Sequence, residues 1–208
     1  MCDEFIHQGL VEDTRISRRT FGLIAVAAAG AAQAAAPASA IVDEKDVLIK
    51  TKDGNADAVL FTPKAKGTFP AVLMWPDIMG LRPAFRDMGR RLAAEGYVVL
   101  VPNPFYRSKK APVLEGPINF GDPKTRDVLG GYRKAMTDVP GDALAYLAFL
   151  DAQPKTNKRR MAGVQGYCMG GPLSFRTAGA VPGRIGGVAT FHGGGLVTPQ
   201  PNSPHLLV

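Results

Sequence analysis

The chain is poor in the residues that staple a fold, ligate a metal or read a nucleic acid. Its 208 residues include two cysteines, three histidines and one tryptophan, and aromatic residues make up 8%. With so few histidines and cysteines, no metal-ligand spacing exists and no metal or other cofactor is expected. Long basic runs are also missing. Lys109-Lys110 and Lys158-Arg159-Arg160 are the longest clusters in a chain of net charge +7. A nucleic-acid surface would need phosphate-facing Lys and Arg gathered on one element with aromatics between them, so nucleic acid is not an expected partner. The scattered excess reads as a solvated basic surface with a mild attraction for anionic small molecules. No apolar stretch is long enough to span a bilayer stably, and no internal repeat or second domain is visible.

What is present is ordinary for one globular domain: 46% hydrophobic and 21% charged residues, with 24 glycines and 17 prolines punctuating many short connections. The first 40 residues read as a signal. Ser17-Arg18-Arg19-Thr20-Phe21 precedes a short, Ala-rich apolar run to Ala36, and Ala38-Ser39-Ala40 has the form of an A-x-A cleavage site. A paired arginine ahead of a moderately apolar stretch matches a twin-arginine export signal. An amphipathic helix packed on the domain is the alternative. It fails because residues 22–36 carry no charge and so have no charged face. A mature chain starting at Ile41 is therefore expected, delivered folded to the periplasm by the twin-arginine machinery, with no stable membrane anchor. Cys2 would leave with the signal and Cys168 would be the one cysteine remaining. A lone thiol in an oxidising compartment is either buried and inert or kept for its chemistry.

Along the expected mature chain, Asp46–Thr51 and Ala56–Thr62 read as antiparallel strands joined by the turn 52–55. Pro70–Trp75 and Tyr97–Val101 are continuous apolar runs, as in strands buried on both faces. Between them, Pro83 suits a first helical turn, Phe85, Met88, Leu92 and Ala93 share one face, and Gly96 closes the helix. Residues 102–130 read as a long Pro- and Gly-rich connection without periodicity. A helix over Asp142–Ala152, a strand over Met161–Tyr167, a helix over Gly170–Ala180 and a strand over Ile185–Phe191 follow. Leu206-Leu207-Val208 looks like the start of a further strand. Alternating strands and helices of this kind predict a mostly parallel, doubly wound α/β sheet.

The sharpest motif is Gly166-Tyr167-Cys168-Met169-Gly170-Gly171, between a buried strand and a helix. It has the form of a nucleophile elbow, G-x-nucleophile-x-G, with cysteine as the nucleophile. Small residues are needed because the turn is tight against its neighbours. The sulfur would sit at a helix N-terminus, where the dipole and free N–H groups favour negative charge, and the Met169 N–H would face a forming oxyanion. A small buried hydrophobe in a Gly-rich turn is the alternative for Cys168. After the first buried strand, Trp75-Pro76-Asp77-Ile78-Met79-Gly80 is placed to give the second oxyanion donor, the Ile78 N–H. Asp77 could hydrogen-bond the thiol. Equally, it could cap the next helix or pair with Arg82 or Arg86.

At these residues the sequence resembles the dienelactone hydrolase family, carboxymethylenebutenolidases of the α/β-hydrolase fold. The likeness runs from about Val47 to Val208. It rests on Pro76–Gly80, Arg82–Tyr97, Pro102–Arg107 with its Phe105-Tyr106-Arg107, and the cysteine elbow. The resemblance implies hydrolysis of an ester or enol-lactone by a Cys-His-Asp triad, with Cys168 attacking the carbonyl and the Ile78 and Met169 N–H groups holding the oxyanion. Where the best-known members carry a glutamate that pairs with the thiol, this chain carries the shorter Asp77. Tyr106, Arg107 and His192 are the candidates for the substrate pocket, although a surface role is the simpler one for Arg107 and Arg126. The triad Asp and His should follow the last strand read above, where few residues remain. The fold is therefore expected without its last strands and helices, and His192 is expected as a pocket wall. A hydrolase-fold protein that binds without catalysing is the alternative function.

Overall fold

The apolar strand runs of the sequence assemble into one sheet. The structure is a computed structural model describing residues 41–116 and 118–208, so the expected signal over residues 1–40 lies outside the described residues. Val42–Thr51 (β1) and Gly54–Pro63 (β2) pair antiparallel, with Thr51 opposite Gly54. The hairpin turn is thus Lys52-Asp53, and Gly54 follows it at φ 135°, a conformation that favours glycine. Ala71–Trp75 (β3), Val98–Pro102 (β4), Ala162–Tyr167 (β5) and Ile185–Phe191 (β6) complete the sheet in the order β1-β2-β4-β3-β5-β6. All neighbours from β4 to β6 run parallel, and β2 meets β4 antiparallel. This is the mostly parallel, doubly wound sheet expected.

Helices cover both faces. Helix α1 (Pro83–Ala94) buries Phe85, Gly89 and Ala93 against a core that includes Val59, Phe61, Met74 and Val99. Gly89 is obligatory there, since a Cβ would lie 2.5 Å from the Phe61 ring. On the opposite face, α3 (Val139–Asp151) and α4 (Gly170–Ala180) pack over Leu73, Trp75, Leu100 and Val164. Every residue of β3 and of β4 is buried, because helices lie on both sides of these strands.

Three expectations need correction. The stretch 102–130 is not all irregular: α2 (Pro123–Lys134) begins inside it. Asp122 caps that helix by accepting the Lys124 and Thr125 N–H groups, and Pro123 occupies its first turn. Leu129 is its one buried residue, so it shows almost no apolar stripe. Helix α3 likewise begins three residues before Asp142, because Asp138 caps it through the Gly141 N–H at 2.9 Å. Residues 206–208 are not a strand. Pro204–Leu206 form a single 3₁₀ turn, tied back by the His205 N–H to Leu196 O (3.0 Å). Among the described residues no helix is long and apolar enough to cross a membrane.

Candidate active site

In a doubly wound sheet the functional crevice opens where successive connections leave towards opposite faces. Here that point lies at the ends of β3 and β5. The chain leaves β3 for α1 on one face, and leaves β5 for α4 on the other. The two strands pair in register with Trp75 opposite Gly166, so the loops after Trp75 and Tyr167 leave the sheet side by side. Trp75 fixes this junction further, donating its indole N–H to Thr177 Oγ1 on α4 at 2.9 Å.

Cys168 follows β5 with φ 52°, the left-handed conformation of a nucleophile elbow. Its neighbours explain the three glycines. A Cβ on Gly166 would collide with the Gly170 carbonyl and sit 2.6 Å from Ser174 Oγ; one on Gly170 would meet the Trp75 and Pro76 carbonyls; one on Gly171 would meet Thr190 and lie 2.8 Å from the Gly193 Cα. The elbow is anchored to β6 by the Cys168 N–H, which donates to Phe191 O at 3.0 Å. Cys168 is half-buried. Its thiol has no hydrogen-bond partner among the described residues.

The backbone N–H groups of Met169 and Ile78 also have no acceptor among the described residues. Around Ile78, the Met79 N–H goes to Asp77 Oδ1 and the Gly80 N–H to Asp77 O, each at 2.9 Å. An oxyanion hole requires unpaired donors of this kind, and the two loops that carry them leave neighbouring strands. Asp77 sits beside them, but its carboxylate grips Arg82 with both oxygens, at 2.7 and 2.8 Å. It makes no hydrogen bond to Cys168.

The structure engages Tyr106 and Arg107, the expected pocket residues, with Asp142 of α3. Arg107 clasps Asp142 with both terminal nitrogens (2.7 and 2.9 Å) and reaches Asp53 of the β1–β2 turn at 2.7 Å. Tyr106 donates to Asp142 at 2.8 Å and lies 2.7 Å from Thr51 Oγ1. Burial would lower the Arg107 pKa, but its bonds to Asp142 and Asp53 outweigh that and raise it. Burial is the main reason that Tyr106 is pushed up to about 12; Thr51 pulls the other way and Asp142 adds to the rise. The two side chains therefore clamp the hairpin to α3. Arg126 is exposed on α2.

His192 follows β6 with φ 44° and is exposed. It and Cys168 are the two non-glycine residues of positive φ among the described residues, and they sit at the ends of adjacent strands. His205 is engaged with the buried Ser203 hydroxyl at 2.8 Å. No histidine or carboxylate among the described residues hydrogen-bonds the Cys168 sulfur, and no group of them could hold a metal ion.

Sequence reasoning did not identify a cavity of about 490 Å³ that opens beside Met169, between α2, α3, α4 and the loop after β6. Arg133 and Arg176 line it, and the side chain of neither has a partner among the described residues. Arg133 lies on the helix that the sequence reading missed, so its placement was not visible there.

A family model described as the dienelactone hydrolase family matches residues 56–207. Among curated relatives, a protein of Saccharolobus solfataricus, provisionally named carboxymethylenebutenolidase, is 30% identical over 184 residues, covering 76% of this chain and 68% of its own. The carboxymethylenebutenolidase of Pseudomonas putida is 26% identical over 152 residues, 72% of this chain and 61% of its own. The chain spans 64% of a provisionally named relative from Methylorubrum extorquens. A provisionally named dienelactone hydrolase structure from Klebsiella pneumoniae superposes with a TM-score of 0.62 at 25% identity, over 78% of this chain and 65% of that one. A dienelactone hydrolase-like promiscuous phosphotriesterase from metagenomic libraries gives a TM-score of 0.62 at 20% identity, over 78% and 64%, a likeness of fold.

Proposed function

Because the chain belongs to the dienelactone hydrolase family, we propose that it cleaves carboxylic esters or lactones through a thioester on Cys168. The observation that carries this reading is half-buried Cys168 on a left-handed elbow packed against the end of β3, with the N–H of Met169 beside it and that of Ile78 in the loop after β3 both unpaired. The sulfur attacks the carbonyl carbon, and the charge gathering on the carbonyl oxygen is met by those two donors. Collapse of the adduct breaks the C–O bond, the departing oxygen takes up a proton, and a thioester remains. Water then releases the acid and restores the thiol. Deacylation calls for a base, and no described histidine or carboxylate is bonded to the sulfur, so the second step is the slower one here.

The test is incubation with p-nitrophenyl acetate, following nitrophenolate release and the mass of the Cys168 peptide. A burst stoichiometric with protein and an acetyl group on that peptide are expected, both lost in Cys168→Ala. Hydrolysis undiminished by Cys168→Ala contradicts the reading. Failure to acylate, with ligand binding retained, favours a binding protein built on the hydrolase fold.

The substrate class proposed is anionic. It is supported by the unpartnered guanidinium groups of Arg133 and Arg176 in the cavity beside Met169. Arg176→Gln is expected to raise KM for a carboxylate-bearing ester roughly tenfold or more, as loss of a hydrogen bond to a charged group does, and to spare its neutral analogue. Equal effects on both esters would remove the cavity from substrate recognition. Periplasmic export by the twin-arginine machinery belongs to the same proposal, from Arg18-Arg19 and Ala38-Ser39-Ala40. It is read from the N-terminus of periplasmic protein, expected at Ile41; recovery of the uncleaved chain from the cytoplasm alone contradicts it.

A further inference from the structure

We infer that Asp77 and Arg82 are positioning residues, which set the β3–α1 loop so that the Ile78 N–H is left as an oxyanion donor. The inference rests on the hydrolase reading and deepens it. Its basis is how the loop distributes its donors. Asp77 Oδ1 takes the Met79 N–H at 2.9 Å, and the Asp77 carbonyl takes the Gly80 N–H at 2.9 Å. The N–H just before them, that of Ile78, has no acceptor among the described residues. An Asx turn built on Asp77 therefore ties down the two donors that follow Ile78 and leaves the Ile78 N–H free, as it leaves that of Asp77 itself.

Arg82 holds that turn in place. Its two terminal nitrogens grip the two Asp77 oxygens at 2.7 and 2.8 Å, and one also lies 3.3 Å from Gly80 O. The guanidinium is itself held over the Phe85 ring at 4.9 Å, so the first turn of α1 braces the loop. With the pair only about a fifth exposed, at 17% for Asp77 and 24% for Arg82, it is shielded from bulk water. A carboxylate offers about four acceptor sites, and three are already filled. Asp77 could reach the thiol only by giving up part of a charge-assisted, two-pronged pair. The geometry thus assigns the acid to the loop, not to the sulfur.

The experiment compares wild type, Asp77→Ala, Asp77→Asn, Arg82→Met and the Asp77→Ala/Arg82→Met double variant. It reads the acylation rate and KM with p-nitrophenyl acetate, the pH profile of Cys168 alkylation, and amide hydrogen exchange across residues 76–82. Asp77→Ala and Arg82→Met are each expected to slow acylation roughly 10- to 100-fold, in the range of a misplaced or lost oxyanion donor. KM should stay within about twofold, since the donor acts on the developing charge more than on the bound ester. The double variant should be no slower than the slower single one, because the two residues act as one unit. Asp77→Asn should recover part of the rate, its amide oxygen still accepting from Met79. All alkylation profiles should coincide with wild type. A profile displaced by Asp77→Asn makes Asp77 a partner of the thiol and overturns the inference, as does wild-type acylation by Arg82→Met. If wild type itself fails to acylate, the hydrolase reading falls. Hydrogen exchange then judges the loop alone, and equal exchange in wild type and Arg82→Met overturns the positioning role.

Discussion

Gly170→Ala is expected to destabilise the protein by at least about 3 kcal/mol, at the upper end of what overpacking costs. The added Cβ would meet the Trp75 carbonyl and lie 2.7 Å from the Pro76 carbonyl. Both obstacles are backbone, so no rotamer change relieves the clash. Trp75 is locked in register with Gly166, and its indole is bonded to Thr177, so β3 cannot retreat without opening the sheet beneath the site. For a domain of ordinary stability, about 5–15 kcal/mol, such a loss is a large share of the whole. Gly183→Ala is the control. Nothing lies within 4 Å of its added Cβ, so it should be neutral or slightly stabilising through the unfolded chain. Urea unfolding of the two variants checks this, and equal midpoints would mean that the elbow tolerates a side chain.

Asp142→Ala should be comparably severe, at about 3–5 kcal/mol, the usual result of removing one partner of a buried ion pair. The Asp142 side chain is 5% exposed and that of Arg107 10%, whereas Asp87, paired with Arg90, is 66% exposed. That surface pair is worth about 0–1 kcal/mol, so its loss should scarcely register beside Asp142. The cost at Asp142 comes mostly from leaving the Arg107 charge with Asp53 alone and the Tyr106 hydroxyl with Thr51 alone. Replacing both charges, as in Asp142→Leu/Arg107→Met, should therefore recover much of the loss. The same cluster sets an alkaline limit. Tyr106 is raised from 10.0 to about 12 in the folded protein. Its contribution to stability is complete below about pH 10, where the hydroxyl is neutral in both states, and is lost as pH rises through about 12. The wild-type urea midpoint should fall across that window more steeply than that of Tyr106→Phe. Parallel curves would show that the Tyr106 hydroxyl contributes nothing there.

Much of the fold was legible because its strands are near-continuous apolar runs and its elbow glycines have one steric purpose each. β3, β4, β5 and β6 fall within a residue or two of where the pattern put them, and the order of elements implied the sheet. Helix α2 was missed because it buries Leu129 alone, although Asp122-Pro123 carried the signal of a cap followed by a first-turn proline. The further strand expected at Leu206–Val208 was read from three apolar residues. Pro204, which has no N–H to give a ladder, starts a 3₁₀ turn instead. Within the site, Cys168, Met169 and Ile78 could be placed from the motif because their roles belong to the backbone. Side-chain pairing could not. Tyr106 and Arg107 look equally suited to a substrate until Asp142, 35 residues beyond Arg107, is seen to claim both. The Asp77 alternatives differed only in which neighbour the carboxylate faced.

The most direct test of the account is the rate of Cys168 alkylation by iodoacetamide at neutral pH. It is followed on the Cys168 peptide, in the folded chain and in the same chain unfolded in urea. An activated nucleophile on a helix N-terminus should react several-fold faster folded than unfolded. Reaction that is slower in the folded chain would make Cys168 a packing residue and remove the thiol from the proposed chemistry.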